Sequence, residues 1–269
     1  MVTDCHTHLL PQRLARKVRG FFDQYLLEQK LAYSLDYDDL LTRHAAEGVT
    51  TIWNLPYAHK PGMATTLNAS MLEVAHAYSD HPVRIVSGCT VHPLDDDPVE
   101  DLDSAVEAGA RLLKLHCSVG EYELTDPGLA AVLNRAGELG IPVTVHAGHA
   151  VSGHTDTDEL IPIAEAVTAH PETTFILAHC GHNAYEAAIA MMGRHRNLYS
   201  DLAPVIFDPV PLTAADAERF SDRLLFGTDA PNTGSTGAVQ LETLKGLGLS
   251  DATYHAITVG NAEQLIPAH

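Results

Sequence analysis

Short apolar runs recur along the chain, each followed by a polar or glycine-containing break. A segment with apolar residues at three- and four-residue spacing then follows. The first run is Val2-Thr3-Asp4-Cys5-His6-Thr7-His8, and later ones cover Val49–Leu55, Val83–Val91, Arg111–Cys117, Pro142–Gly148, Thr174–Cys180, Asn197–Leu202 and Leu224–Asp229. Short β-rich runs predict strands, and the periodic segments predict amphipathic helices. Helices are expected over Ala64–Ser79, up to Gly109, and over Pro127–Gly140, where a glycine stop precedes Pro142. Others are expected near Asp158–His170, Ala184–Met192 and Ala214–Phe220, with helical segments filling the rest to His269. Leu10–Gly48 reads as mostly helical. It holds the basic segment Arg13–Arg19 and then Phe21, Phe22, Tyr25, Leu26 and Leu27. Core packing is the first reading of that stretch, and a lid over the end of the first strand is the second.

The unit of strand, loop and helix recurs roughly eight times, with no composition break, low-complexity linker or sequence repeat. Alternating strands and helices argue for a parallel sheet, and this number of units argues for a closed (β/α)8 barrel of the α/β class. A single domain over residues 1–269 is expected. An open doubly wound sheet is the alternative, but no glycine-rich phosphate turn follows any strand.

Composition narrows the functional classes. The formal charge of −19 repels polyanions, which argues against nucleic-acid or anionic-membrane partners. No apolar run approaches the roughly 18 residues of a membrane span. The start, Met1-Val2-Thr3-Asp4, lacks the basic and apolar regions of a signal peptide, so a cytoplasmic protein is expected. Cys5, Cys89, Cys117 and Cys180 lie in or just after predicted strands without knuckle spacing and read as reduced packing residues. A homo-oligomer is compatible with the sequence and not specified by it.

The 17 histidines are unevenly placed, many of them closing apolar runs. In such a barrel, chemistry sits at the C-terminal ends of the strands. There stand His6, His8, Asn54, His92, Lys114, His116, His146, His179, Asp201 and Asp229. Strand alternation puts His6 and His8 on one face with Asp4 behind them. Ionisable groups on so many strand ends are costly to bury unless something pairs them, and a divalent ion does so. Two neutral imidazoles on one face suit Zn²⁺.

Asp4-Cys5-His6-Thr7-His8, Val145-His146-Ala147-Gly148, Leu177-Ala178-His179-Cys180-Gly181 and Phe226-Gly227-Thr228-Asp229 together resemble the amidohydrolase superfamily. Gly260-Asn261-Ala262 is similar to a recurrent helix start in its amidohydrolase-related branch, which contains hydrolases and non-oxidative decarboxylases. The resemblance spans nearly the whole chain. It implies that His6, His8, His146 and Asp229 bind one divalent metal and that His179 stands by the activated water as base or electrostatic partner. It implies further that Asp229 passes a proton to the leaving group. Binuclear members carry a carboxylated lysine at the place of Lys114, with the fifth- and sixth-strand histidines on the second ion. One zinc is the preferred reading, and two ions follow if Lys114 is carboxylated. Otherwise Lys114 is an ammonium facing a substrate carboxylate or a neighbouring acid. His116 and Asp201 read as neighbours of the ligands, Asp201 orienting a histidine. Tyr57-Ala58-His59-Lys60, His92 and His149-Ala150-Val151-Ser152-Gly153-His154 surround the mouth as packing or substrate contacts.

The preferred function is hydrolysis of an amide, lactone or ester of a small molecule by a metal-activated water. A metal-dependent decarboxylase would need a basic clamp, for which Lys60 and Lys114 are the evident residues. A catalytically silent metal-binding barrel is the third reading, and retention of both His179 and Asp229 counts against it. The charge and the lack of an arginine cluster near the site disfavour a nuclease or phosphoesterase.

Overall fold

The computed structural model describes residues 1–24, 26, 30–148 and 153–267. Tyr25 and Leu27 of the expected helical stretch, and His149 to Ser152 of the loop after the fifth strand, lie outside the described residues. The elements run β1 (Val2–Thr7), α1 (Gln12–Asp23), α2 (Tyr37–Ala46), β2 (Val49–Asn54), α3 (Ala64–Ala77), β3 (Arg84–Cys89), α4 (Pro98–Glu107) and β4 (Leu112–Leu115). There follow α5 (Cys117–Gly120), α6 (Pro127–Leu139), β5 (Val143–Val145), α7 (Asp156–Ala169), β6 (Phe175–Leu177), α8 (Tyr185–Arg194) and β7 (Leu198–Asp201). The chain ends with α9 (Ala214–Arg219), β8 (Leu224–Leu225), α10 (Gly237–Gly246), α11 (Asp251–His255) and α12 (Asn261–Leu265). No helix among the described residues is long and apolar enough to cross a membrane.

Eight strands pair in parallel in sequence order, β1 to β8. β8 is regular over only two residues, shorter than the apolar run suggests. The chain beyond it still closes the barrel against β1: Cys5 N donates to the Phe226 carbonyl at 2.8 Å, Asp229 N to His6 at 2.8 Å, and His8 N to Ala230 at 2.7 Å. The expected eight-stranded barrel is therefore the fold, and the open sheet is excluded.

Two layers of apolar contact follow from strand alternation. Outward residues such as Ile52, Leu113, Val143, Phe175 and Leu198 pack with the helices. Cys5, Trp53, Val86, Leu112, Ile176 and Leu225, from six strands, fill the bore with Ala262 and Ile266 against them. The four cysteines are free, and three of them are buried, as the packing reading requires.

Strict alternation in β1 would place Asp4 and His6 on one face. With Cys5 in the bore, that face would be the outer one. A register shift between Asp4 and Thr7 breaks the alternation. Asp4 meets His44 of α2, Nε2 to Oδ2 at 3.0 Å, while His6 turns inward to Asp201 and Asp229.

Candidate active site

Asp4, fully buried, is the pin beneath the site. Its carboxylate accepts from the backbone N–H of His6 (3.1 Å), from Thr228 N (3.0 Å) and Oγ1 (2.6 Å), and from His44 (3.0 Å). It thereby joins β1, α2 and the chain that carries Asp229. Burial pushes the His44 imidazole down, but its hydrogen bond and charge interaction with Asp4 outweigh this and hold it above its ordinary value.

Three histidines are fixed in the same tautomer by what their Nδ1 atoms meet. His6 Nδ1 lies 2.9 Å from Asp201 Oδ2, His8 Nδ1 2.6 Å from the Leu55 carbonyl, and His179 Nδ1 3.1 Å from the Ala203 carbonyl. Each partner only accepts, so each Nδ1 carries the hydrogen and each Nε2 keeps its lone pair. Asp201, expected to orient a histidine, also accepts from the backbone of His179 at 2.9 Å and of Ala203 at 3.1 Å.

The freed Nε2 atoms of His6 and His8 face Asp229. His8 Nε2 stands 3.1 Å and His6 Nε2 3.7 Å from Asp229 Oδ1, and the His6–His179 ring centroids are 4.8 Å apart. Donor atoms of His6, His8 and Asp229 all lie within 4.8 Å of one another. Ligands at about 2.0–2.1 Å on a tetrahedral ion are separated by about 3.4 Å, a value these two distances bracket. His6 Nε2 is buried with no hydrogen-bond partner among the described residues. The donor set fits one divalent ion. Burial pushes the Asp229 carboxyl up, but contact with His8 and electrostatic interaction with the surrounding imidazoles hold it below the usual carboxylate range. Burial, above all, lowers His6, His116, His146 and His179, keeping them neutral lone-pair donors.

The structure places His146 and Lys114 beside this group, outside the His6–His8–Asp229 set. His146 Nε2 donates to the Gly148 carbonyl at 2.8 Å, and its ring stacks on His116 at 3.7 Å. The Lys114 Nζ is buried with no hydrogen-bond partner among the described residues, and burial, opposed by Asp201 and Asp229, pushes its ammonium down to about 8. Asn54 accepts from Leu9 N at 2.7 Å, and His92 Nε2 bonds the Gly120 carbonyl at 3.1 Å, so both are tied into the scaffold.

Backbone geometry beneath His179 is unusual. His179, Cys180 and Gly181 are all left-handed, with φ of 57°, 46° and 71°, and Asp229 has φ 60°. Left-handed non-glycine residues cost about 1–2 kcal/mol each, and here they turn the imidazole and the carboxylate toward one point. Gly148 has φ 115°, and a Cβ there would meet the His182 Cβ at 2.5 Å.

A cavity of about 640 Å³ opens above the donors. His116, His146, His179, Asp229 and Tyr57 line it, with Leu14, Val18, Phe21 and Phe22 of α1 forming an apolar wall. Helix α1 is thus a cover over the site as well as a packing element, since Leu14 and Val18 also pack in the cluster that holds Tyr57. Arg19 fastens it, donating to the Tyr33 carbonyl at 2.9 Å and the Pro231 carbonyl at 3.0 Å. His59 and Lys17 also line the cavity, whereas Lys60 and Lys114 do not. Sequence reasoning missed His44, Thr228 and Arg19, whose partners are distant along the chain. Glu159, which accepts from Gly148 N at 2.7 Å, escaped it as well.

No curated protein matches the sequence. Solved structures do. An uncharacterized TIM-barrel protein from Bordetella bronchiseptica superposes with a TM-score of 0.80 at 19% identity, covering 98% of each chain. A 2,6-dihydroxybenzoate decarboxylase from Rhizobium gives 0.66 at 16%, and an amidohydrolase from Burkholderia multivorans 0.69 at 15%, each again covering 98% of both chains. At these identities the likenesses speak for the fold. The amidohydrolase family model matches residues 3–268, and with a match over nearly its whole length the chain belongs to the amidohydrolase family.

Proposed function

We propose that the protein is a metal-dependent hydrolase that cleaves an amide, lactone or ester bond of a small molecule. The observation that carries this reading is the buried group of His6, His8 and Asp229, its two imidazoles held with Nδ1 protonated and Nε2 lone pairs turned toward the one carboxylate. His6, His8 and Asp229 would hold the ion, with His146 joining if its nitrogen leaves the Gly148 carbonyl. Zinc suits these imidazole and carboxylate donors. A bound divalent ion supplies a Lewis acid and lowers the pKa of its water to about 7. Asp229 would take up the proton released on attack and return it to the leaving group. His179, neutral and held by Ala203, would accept a hydrogen bond from the attacking water. Asp201 keeps the His6 lone pair aimed, and α1 keeps bulk water out.

One ion is the arrangement these donors favour, because His146 is engaged elsewhere. Carboxylation of Lys114 would add a second. Its depressed pKa, about 8, leaves part of the population as the neutral amine that such a modification requires. Decarboxylation is the second reading, supported by the Lys17 ammonium on the cavity rim and consistent with the barrel shared with the dihydroxybenzoate enzyme. Lys114 is not a cavity-lining residue, so it is a poor clamp for a substrate carboxylate. The test is a screen of metal-loaded protein against 4-nitrophenyl esters, lactones, N-acyl amides and hydroxybenzoates. Hydrolysis that disappears in His8→Ala supports the proposal; carbon dioxide release from a hydroxybenzoate, with no hydrolysis, refutes it in favour of the lyase.

A further inference from the structure

Among the described residues, several packed tyrosine hydroxyls have protein hydrogen-bond partners. Tyr33 Oη donates to Glu47 at 2.8 Å and accepts from Gly237 N at 2.7 Å. Tyr185 donates to Asp216 at 3.0 Å, Tyr122 accepts from His116 N at 3.2 Å, and Tyr37 donates to the Leu10 carbonyl. Tyr57 is 8% exposed, and among the described residues its hydroxyl has no hydrogen-bond partner.

Its position is not accidental packing at the periphery. Tyr57 follows β2, and its ring stands edge-on to His8 at 5.5 Å and tilted against His116 at 5.2 Å. It lines the same cavity as Asp229 and His179. The ring is packed while the hydroxyl, unmatched by the described residues, is left to a partner within the cavity that Tyr57 lines. Burial, with the nearby Asp229 charge, raises the Tyr57 phenol above its ordinary value, so it keeps its proton at neutral pH and can donate one hydrogen bond. An apolar-walled cavity makes such a donor worth more than it would be in water.

We propose that Tyr57 is a catalytic residue whose O–H donates a hydrogen bond to the substrate oxygen on which negative charge develops. The assignment rests on the hydrolase reading above. As the attacking oxygen bonds to the acyl carbon, the carbonyl π electrons move onto the carbonyl oxygen, and the phenolic proton stays on Tyr57 while bonding to that oxygen. When the leaving group departs, those electrons re-form the carbonyl and the hydrogen bond weakens. The phenol is neither consumed nor ionised, and the contact favours the transition state over the ground state.

The experiment compares metal-loaded wild type with Tyr57→Phe, which keeps the ring and loses only the hydroxyl. Calorimetric titration with 4-nitrophenyl methylphosphonate, a tetrahedral anionic mimic, should show binding about 10²-fold weaker in the variant. Metal content and thermal midpoint should be unchanged, and kcat for 4-nitrophenyl acetate should fall by about 10²–10³ with KM altered less than about threefold. Equal phosphonate affinity in the two proteins at equal metal content overturns the Tyr57 assignment alone. A metal-loaded wild type with no measurable phosphonate affinity overturns the hydrolase reading and this assignment with it.

Discussion

Replacing Asp201 by asparagine isolates the device that aims His6. The two side chains are nearly isosteric, so packing is kept. Asparagine Oδ1 can still accept from His179 N and Ala203 N, which lie 2.9 and 3.1 Å from Asp201 Oδ1. Its amide nitrogen then occupies the place of Oδ2, 2.9 Å from His6 Nδ1, and two donors face each other. His6 relieves the conflict by moving its proton to Nε2, which removes the lone pair directed at the ion. Loss of such an outer partner typically costs 10–100-fold in metal affinity. That is about 1.4–2.8 kcal/mol of binding and an equal loss of metal-dependent stability at saturation. With an unfolding entropy of about 2.1 cal/mol/K per residue over 269 residues, the midpoint of the loaded protein should fall by about 2.5–5 °C. In chelator the two proteins should differ by only about 1 kcal/mol, the worth of one hydrogen bond. Competition with a zinc chelator gives the affinity, and nitrogen-15 shifts of the imidazole give the tautomer. Wild-type affinity in a variant whose His6 has its proton on Nε2 would refute the reasoning.

Asp229→Asn at matched metal occupancy should abolish turnover, because the amide cannot take up a proton. His179→Asn should leave a residue of activity, slowed by about 10²–10⁴; the reverse order in steady-state assays would reassign the proton shuttle. The raised pKa of His44 makes its contribution to stability full below the unfolded value of about 6.5 and lost as pH rises through the higher folded value. The difference in urea stability between wild type and His44→Gln should therefore shrink from pH 6 toward pH 9, and a constant difference would contradict the Asp4–His44 ion pair. Lys114→Ala should leave one metal bound if the site is mononuclear, whereas loss of a second metal, restored in the wild type by bicarbonate, would show the carboxylated form.

The barrel was legible because strand and helix periods alternate through the whole chain, and because apolar strands such as Phe175–Leu177 contain nothing polar to blur them. The strand-end residues were legible for the same reason: a charged or imidazole side chain closing an apolar run has few explanations. Element ends were less so. Cys117 and Cys180 extend their apolar runs, yet one begins a helical turn and the other lies in the left-handed turn that aims His179. The phase of β1 was hidden, since a register shift between Asp4 and Thr7 depends on pairing with β2. His44 gave no signal because its partner Asp4 is 40 residues away. The engagement of His146 with Gly148 is set by backbone geometry at a glycine, which side-chain identity does not encode.

The central claim is that His6, His8 and Asp229 hold one divalent ion. Elemental analysis of the purified protein after zinc loading and removal of excess, run beside His6→Ala and His8→Ala, tests it most directly. The account predicts about one equivalent in the wild type and a sharp loss in both variants. Full occupancy in either variant, or no retained metal in the wild type, would contradict it.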